Sequence, residues 1–502
     1  MLFQAVRAVI PALNSKLRDA QQDVLIARVI RAVNKFGRFC STVIAGRIHS
    51  SSGRLYRALP NAPALDVLNT RAVKSLVLIT AASLLASGVA RAQDPGAVAL
   101  SVDMGSGSDS TLAPIGAFAP GEITPPTTPD EADSLNGTLY GAEQALDDAP
   151  PGPDAQSRSW KVNFHASAGF YHDDNIASSA TDKLSDFVSR FTAGGGVTVG
   201  DYTTRKDNYL IADYTGIGEV YDRYASDDAF EQSASIEGQA LLGHLTFHGD
   251  FEFEDLTDDD IDVGTRTRRQ VYTGIGSARC AISDKTYVEA TAEFIITHYQ
   301  FYLGSNDERG GIFFHYLPNP EVTLGLGIKG GVLNVQDSGA QTYEQLLSTL
   351  EIAATGKLTL QASAGVEDRQ TAGDNGLVTP IFELAADYQA VAGLDLSLAA
   401  YRHVVNSAGY AGSDYIATGV TAGARYEFSS RFSVLLDAGY ANDHYRGVSR
   451  DDNYVFLRPT LRYTASTYCT VDLYYFYRDN HSTVAASGFN DTQVGVKVTW
   501  TY

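Results

Sequence analysis

The 502-residue chain carries 46 glycines, 28 tyrosines and a net charge of -21, and its longest apolar stretch falls short of the roughly 20 residues a membrane-spanning helix needs, which excludes a helical membrane bundle. Charge is divided unevenly: residues 1–92 hold 13 Lys and Arg against 3 Asp and Glu, whereas residues 93–502 hold 25 against 56. The bulk of the chain is therefore strongly acidic, which argues against nucleic acid as a partner.

Residues 1–70 are basic and poor in acids, and are read as a non-native or disordered extension upstream of a translation start near residue 67. Residues 71–92 follow as a secretory signal peptide. Arg71 and Lys74 precede the apolar run SLVLITAASLLASGVA (75–90), and Ala90-Arg91-Ala92 supplies a small-residue cleavage site. Residues 93–159 are rich in Pro, Gly, Ala and Asp without sustained periodicity, the composition of a disordered periplasmic linker. Cys40, Cys280 and Cys469 stand far apart and give neither a disulfide framework nor metal-ligand spacing.

From Trp160 the pattern changes to runs of strictly alternating residues, the period of a strand with two unlike faces. In HLTFHGDFEFE, Leu245, Phe247, Phe251 and Phe253 oppose His244, Thr246, His248, Asp250, Glu252 and Glu254. KLTLQASAGVE and RFSVLLDAGY repeat the scheme. Eighteen runs are expected, near 160–172, 186–200, 207–221, 230–242, 244–254, 270–282, 285–298, 309–317, 321–333, 342–354, 357–367, 378–390, 394–404, 413–428, 431–441, 453–465, 468–478 and 490–502. Very short turns (Gly243; Ser283-Asp284; Ala392-Gly393; Ser429-Ser430) alternate with longer polar loops such as HDDNIASSATDKLS, DLTDDDIDVGTRTR, NSAGYAGSD and HYRGVSRDD. Short turns at one end and longer loops at the other predict a transmembrane, antiparallel up-and-down β-barrel over 160–502, with the short turns and both ends of the barrel on the periplasmic side. Within hydrocarbon, only a sheet closed on itself satisfies every backbone N–H and C=O. A soluble propeller is the all-β alternative, but no blade-length repeat is present.

Aromatics fall near the run ends (Phe170, Tyr171, Tyr299, Phe301, Tyr426, Phe428, Tyr475, Tyr477), where they would form girdles at the two membrane interfaces. The closing TQVGVKVTWTY puts Val494, Val496, Val498, Trp500 and Tyr502 on one face. It resembles the C-terminal signal by which the barrel assembly machinery recognises outer-membrane barrels. The stretch SAGFYHDDNIASS, followed by SDFVSRFTAGGGVTVGD, resembles the start of the barrel in the Putative beta-barrel porin 2 family, with Tyr171 to Ile176 the sharpest motif. That resemblance implies an outer-membrane barrel with a porin-like role, some members being similar to components of polysaccharide export. It supplies no catalytic or binding residues.

Assigned by parity, the basic residues expected to line the pore are Arg190, Arg425, Arg458, Arg462, Arg478 and Lys497, on runs that become neighbours once the ring closes. The acidic ones are Asp213, Glu237, Asp250, Glu252, Glu289, Glu293, Glu351, Glu367, Glu383 and Asp387, on runs 3 to 12. Lys329, Glu427, Asp437 and Asp472 interrupt this segregation. Opposed positive and negative walls would impose a transverse field on polar solutes; the plainer expectation is that these charges pair across strands. No loop looks long enough to fold inward as a large plug.

Other motifs lead elsewhere. GLGIKG (Gly325, Gly327, Gly330) fits a nucleotide fingerprint by spacing but lies inside an alternating run, where no strand-to-helix turn exists. Asp258, Asp260 and Asp262 have calcium-loop spacing, yet Gly264 comes one residue late and Arg269 stands where the bidentate Glu belongs. His165, His244, His248 and His315 accompany no G-x-S-x-G elbow, so no hydrolase is expected. The expected role is a pore for small hydrophilic solutes, with exopolysaccharide export or assembly as the alternative. Outer-membrane lipid, lipopolysaccharide and the assembly machinery are the expected partners and no cofactor is required; the sequence does not set the oligomeric state.

Overall fold

The computed structural model describes residues 160–200, 207–354, 357–371 and 376–502. The expected upstream extension, signal peptide and linker lie outside the described residues. Eighteen strands run in chain order: β1 (Trp160–Asp173), β2 (Asp186–Gly200), β3 (Tyr209–Tyr221), β4 (Ala229–Leu242), β5 (Leu245–Asp260), β6 (Thr265–Ser283), β7 (Thr286–Tyr299), β8 (Ser305–Asn319), β9 (Val322–Val335), β10 (Gln341–Ala354), β11 (Leu358–Thr371), β12 (Leu377–Val391), β13 (Leu394–Asn406), β14 (Asp414–Ser429), β15 (Phe432–Tyr445), β16 (Asp451–Ser466), β17 (Cys469–Ser482) and β18 (Phe489–Thr501). Each pairs antiparallel with its chain neighbours, and β1 also pairs with β18 from His165↔Thr501 to Asp173↔Gln493, so the sheet has no edge. Phe164 N donates to Tyr502 O (2.9 Å) and Tyr502 N to Phe164 O (2.8 Å), so the final residue completes the seam.

Alternation puts the two faces in different surroundings. Ile312, Ile328 and Leu346 lie side by side on β8, β9 and β10 and point outward, more than half exposed. Leu326, Val366, Val434, Leu473 and Val496 continue this outer belt on other strands. Side chains of opposite parity point inward and are largely buried. Glycine lets the inner wall accommodate flat rings: a Cβ at Gly327 would collide with the Phe313 side chain. The GLGIKG motif thus sits within β9 as wall structure. Gly243 and Gly393 take positive φ (66° and 79°) in two of the tight connections, a conformation that favours glycine.

Two sequence expectations change. The stretch read as the loop DLTDDDIDVGTRTR is instead the extended tip of a hairpin, with β5 running to Asp260 and β6 starting at Thr265. Among the described residues no loop is long enough to serve as a large plug, but this hairpin crosses the mouth. Tyr171 and Tyr299 face inward instead of joining a girdle, their hydroxyls donating to Glu219 (2.9 Å) and Asp260 (2.7 Å). At Pro459, which has no N–H to give the ladder, the β16–β17 pairing lapses after Leu457↔Tyr477 and resumes at Thr460↔Tyr474 in the same register.

Candidate functional site

All of the sequence-selected charged residues have inward parity, and most of those on the basic arc meet a carboxylate. Arg190 bonds Glu219 (2.7 Å) and Glu231 (3.3 Å). Arg425 meets Glu427 (2.5 Å), Arg458 meets Asp437 (3.1 Å), and Arg462 holds Asp472 through two nitrogens (2.8 and 2.9 Å). Arg478, fully buried, bridges Asp491 (2.6 Å) and Asp259 (2.5 Å). Lys497 lies in register with Asp472 across β17 and β18.

Cations also line the opposite arc. Glu293 receives both Arg309 (2.9 Å) and Lys329 (2.7 Å), and Glu367 receives Arg369 (2.7 Å). Glu289 faces Arg279 (3.9 Å) and His315 (3.3 Å), and Glu237 accepts from Tyr209 (2.6 Å). Asp213, Asp250, Glu252, Glu351, Glu383 and Asp387 complete the inward-facing acids. The expected separation into opposed walls is therefore replaced by local pairing, because a buried charge without a partner is costly. Lumenal charge at the wall is patchwork, not a single field.

The mouth at the longer-loop end is built differently. β4 pairs with β5 only as far as Asp255, and β7 pairs with β6 only from Arg269. Among the described residues, 256–268 thus extend past the ladders to β4 and β7 as a two-stranded arm, tied at its base by Gln300 N to Arg268 O (3.0 Å) and by Thr257 N to the Glu231 carboxylate (3.0 Å). At about 3.3 Å per residue, six residues reach roughly 20 Å. Two bidentate pairs stiffen the arm: Arg268 on Asp255 (2.9 and 2.7 Å) and Arg269 on Asp258 (2.5 and 2.9 Å). The turn closes on itself, since Asp260 Oδ1 accepts from Asp262 N (2.9 Å) and Asp260 O from Gly264 N (2.8 Å). The aspartates read as a possible calcium loop are consumed as acceptors within the hairpin and by its contacts.

At its tip the arm docks against elements far round the ring. Asp262 accepts from Ser407 Oγ (2.8 Å), Ala408 N (2.5 Å), Gly409 N (3.3 Å) and Tyr445 OH (2.8 Å). Arg450 donates to the carbonyls of Asp262 (2.5 Å) and Ile261 (2.8 Å). Ile261 packs on the inward cluster of Ala441, Tyr454, Phe456, Phe476 and Phe489. On the near side, Arg266 bonds Glu219 (2.7 Å) and Tyr221 (2.5 Å). Burial pushes the Asp262 carboxyl up to about 6, with neighbouring Asp260 adding to the rise and the Ser407 and Tyr445 hydroxyls opposing it. The β7–β8 loop joins the same junction, Leu303 N donating to Ala408 O (3.1 Å).

The profile of the Putative beta-barrel porin 2 family matches residues 345–502. The resemblance drawn from the sequence is borne out over those residues; the Tyr171–Ile176 motif lies outside them. No curated protein matches. Among solved structures, the outer membrane protein OpdK of Pseudomonas aeruginosa is 12% identical, with 68% of this chain and 99% of that one covered at a TM-score of 0.37. OccAB4 of Acinetobacter baumannii is 12% identical, with 70% and 100% covered and a TM-score of 0.40. OccK8 (OprE) of P. aeruginosa is 12% identical, with 68% and 98% covered and a TM-score of 0.37.

The apolar outer belt is what a β-barrel that crosses a membrane presents, and over residues 345–502 the chain is similar to the porin family named above. Val494, Val496, Val498, Trp500 and Tyr502 all project from the outer face, between 39% and 56% exposed. The carboxylates of Asp173, Asp174 and Asp491 come within 4.8 Å of one another. Each already has a protein donor (Asn175 N, Thr492 N and Arg478 respectively), so they are accounted for without a metal ion. His315, weighed as a catalytic candidate, stacks on Tyr287 (4.4 Å between centroids) and faces Glu289.

Sequence reasoning missed Arg266, Arg269, Arg309, Arg369 and Arg450. These lie at or beyond the expected strand ends, where both faces of the sheet are polar and alternation carries no signal. The one available cue was the charge complementarity of DLTDDD and TRTRR, which suits a salt-bridged hairpin better than a loop.

Proposed function

We propose that this barrel is a channel through which small hydrophilic solutes cross the outer membrane. One observation carries the reading: a ring of 18 strands closed without an edge, ionisable side chains on its inside and an apolar belt outside. Barrels of this strand number are wide enough to keep an aqueous interior. The inward charges selected from the sequence, Arg458, Arg462 and Glu293 among them, then act as a polar lining that replaces part of a solute's hydration. Their mutual pairing supports passage over chemistry, since they hold one another and not a nucleophile beside a base. The outward Val494–Tyr502 face acts as the recognition strip for the assembly machinery before lipid covers it.

Purified protein in planar bilayers is expected to give stepwise conductance. Liposomes containing it are expected to swell in sugars up to a sharp size limit. Membranes that remain tight in both assays, with the barrel shown to be folded, would overturn the proposal.

A further inference from the structure

We infer that the arm formed by residues 256–268 is a gate, closed in this structure, whose latch is the Asp262 carboxylate seated among Ser407, Ala408, Gly409 and Tyr445. The inference rests on the channel reading and adds a conformational device to it. Three features make the arm a two-position element.

First, among the described residues the ladders to β4 and β7 stop at Asp255 and Arg269, and past the Thr257–Glu231 and Arg268–Gln300 bonds the arm continues as a lone hairpin, so 255–257 and 268–269 form the natural hinge. A lone two-stranded ribbon is marginal in water, and its position depends on what it docks against. Second, its internal bonds travel with it. The Arg268–Asp255 and Arg269–Asp258 pairs and the Asp260 turn contacts lie wholly inside the hairpin. Third, several groups on the receiving side keep other partners without it. Ser407 Oγ also accepts from Gly409 N (3.2 Å) and Tyr410 N (3.0 Å), Arg450 keeps Asp452 (3.0 Å at Nε), and Arg478 keeps Asp491 (2.6 Å). Undocking therefore breaks the contacts between arm and wall, and the receiving groups it hands over to water include Ala408 N and the Tyr445 hydroxyl. Those contacts are mostly charge-assisted hydrogen bonds, which exchange with water more readily than packed apolar surface does. Ile261 contributes apolar packing to the latch.

The test uses single-channel recording and two independent variants. Asp262→Ala removes the acceptor for all of those donors; hydrogen bonds to a charged group are each worth about tenfold or more, so the closed-to-open ratio should fall at least about tenfold. The second variant reports by locking. In a Cys280→Ala/Cys469→Ser background, Gly264→Cys/Ser487→Cys places two thiols at the docked contact: a Cβ built at Gly264 lies 3.2 Å from Ser487 Cβ, a few tenths of an ångström under disulfide spacing, so the turn must shift slightly, and the reduced double variant is the reference for the strain of a side chain at the positive φ of Gly264 (71°). Oxidation should hold the channel shut and a reductant should restore openings. Heat-modifiable gel mobility checks that each variant is folded. A conducting wild type whose gating is untouched by Asp262→Ala and by the disulfide overturns the gate and leaves the channel standing. Folded protein that never conducts, in wild type, in Asp262→Ala or in the reduced double-cysteine variant, overturns both.

Discussion

Replacing Ile328 with arginine tests the physical basis of the whole reading. Ile328 lies near the middle of β9, 61% exposed on the outer face, with Ile312 and Leu346 beside it in register. If water surrounds the barrel, a surface change of this kind costs within about 0.5 kcal/mol. If lipid does, an arginine near the bilayer midplane costs about 2–4 kcal/mol, falling to about 0–1 kcal/mol near the interfaces. At about 1.4 kcal/mol per factor of ten, the midplane cost is roughly a 30- to 700-fold loss in the folding equilibrium. Glu344→Arg is the matched control, since Glu344 is on the neighbouring strand two residues beyond Leu346 toward the loops and already carries a charge. Denaturant titration from phospholipid vesicles, followed by tryptophan emission and by heat-modifiable mobility, measures both. Equal, small shifts for the two substitutions would mean that the apolar belt does not meet lipid.

The remaining expectations concern the wall and the seam. Arg458→Gln with Arg462→Gln removes the guanidinium groups that meet Asp437 and Asp472; the loss of two positive charges from the inner wall should move the reversal potential toward cation selectivity, and an unchanged potential would place those pairs off the solute path. Deleting Tyr502 removes the two backbone bonds to Phe164 and the terminal aromatic together. Assembly in cells should drop several-fold while refolding of the purified chain into detergent changes little; loss of both would assign Tyr502 to barrel stability instead of recognition.

Strand number, pairing order and the sidedness of nearly every strand were legible because the membrane writes them into the chain. Where one face meets lipid and the other water, every second residue must be apolar, and Leu324-Gly325-Leu326-Gly327-Ile328 or Val494-Gly495-Val496-Lys497-Val498 can be read no other way. Outside the hydrocarbon both faces are polar and that period vanishes. Hence β5 and β6 looked like a loop, Arg309 and Arg369 fell at run ends, and two inward tyrosines passed for girdle residues. Which carboxylate each inward arginine meets depends on register and ring closure, and these bring Arg478 of β17 against Asp259 of β5 across 219 positions of sequence. The seat of Asp262 is likewise assembled from the β13–β14 loop, the end of β15 and the β15–β16 loop, none of which carries a local mark of the role. Sequence determined the wall, because lipid contact is a property of each strand alone; only the closed tertiary structure decided what crosses the mouth, because that is set by side chains meeting from opposite sides of the ring.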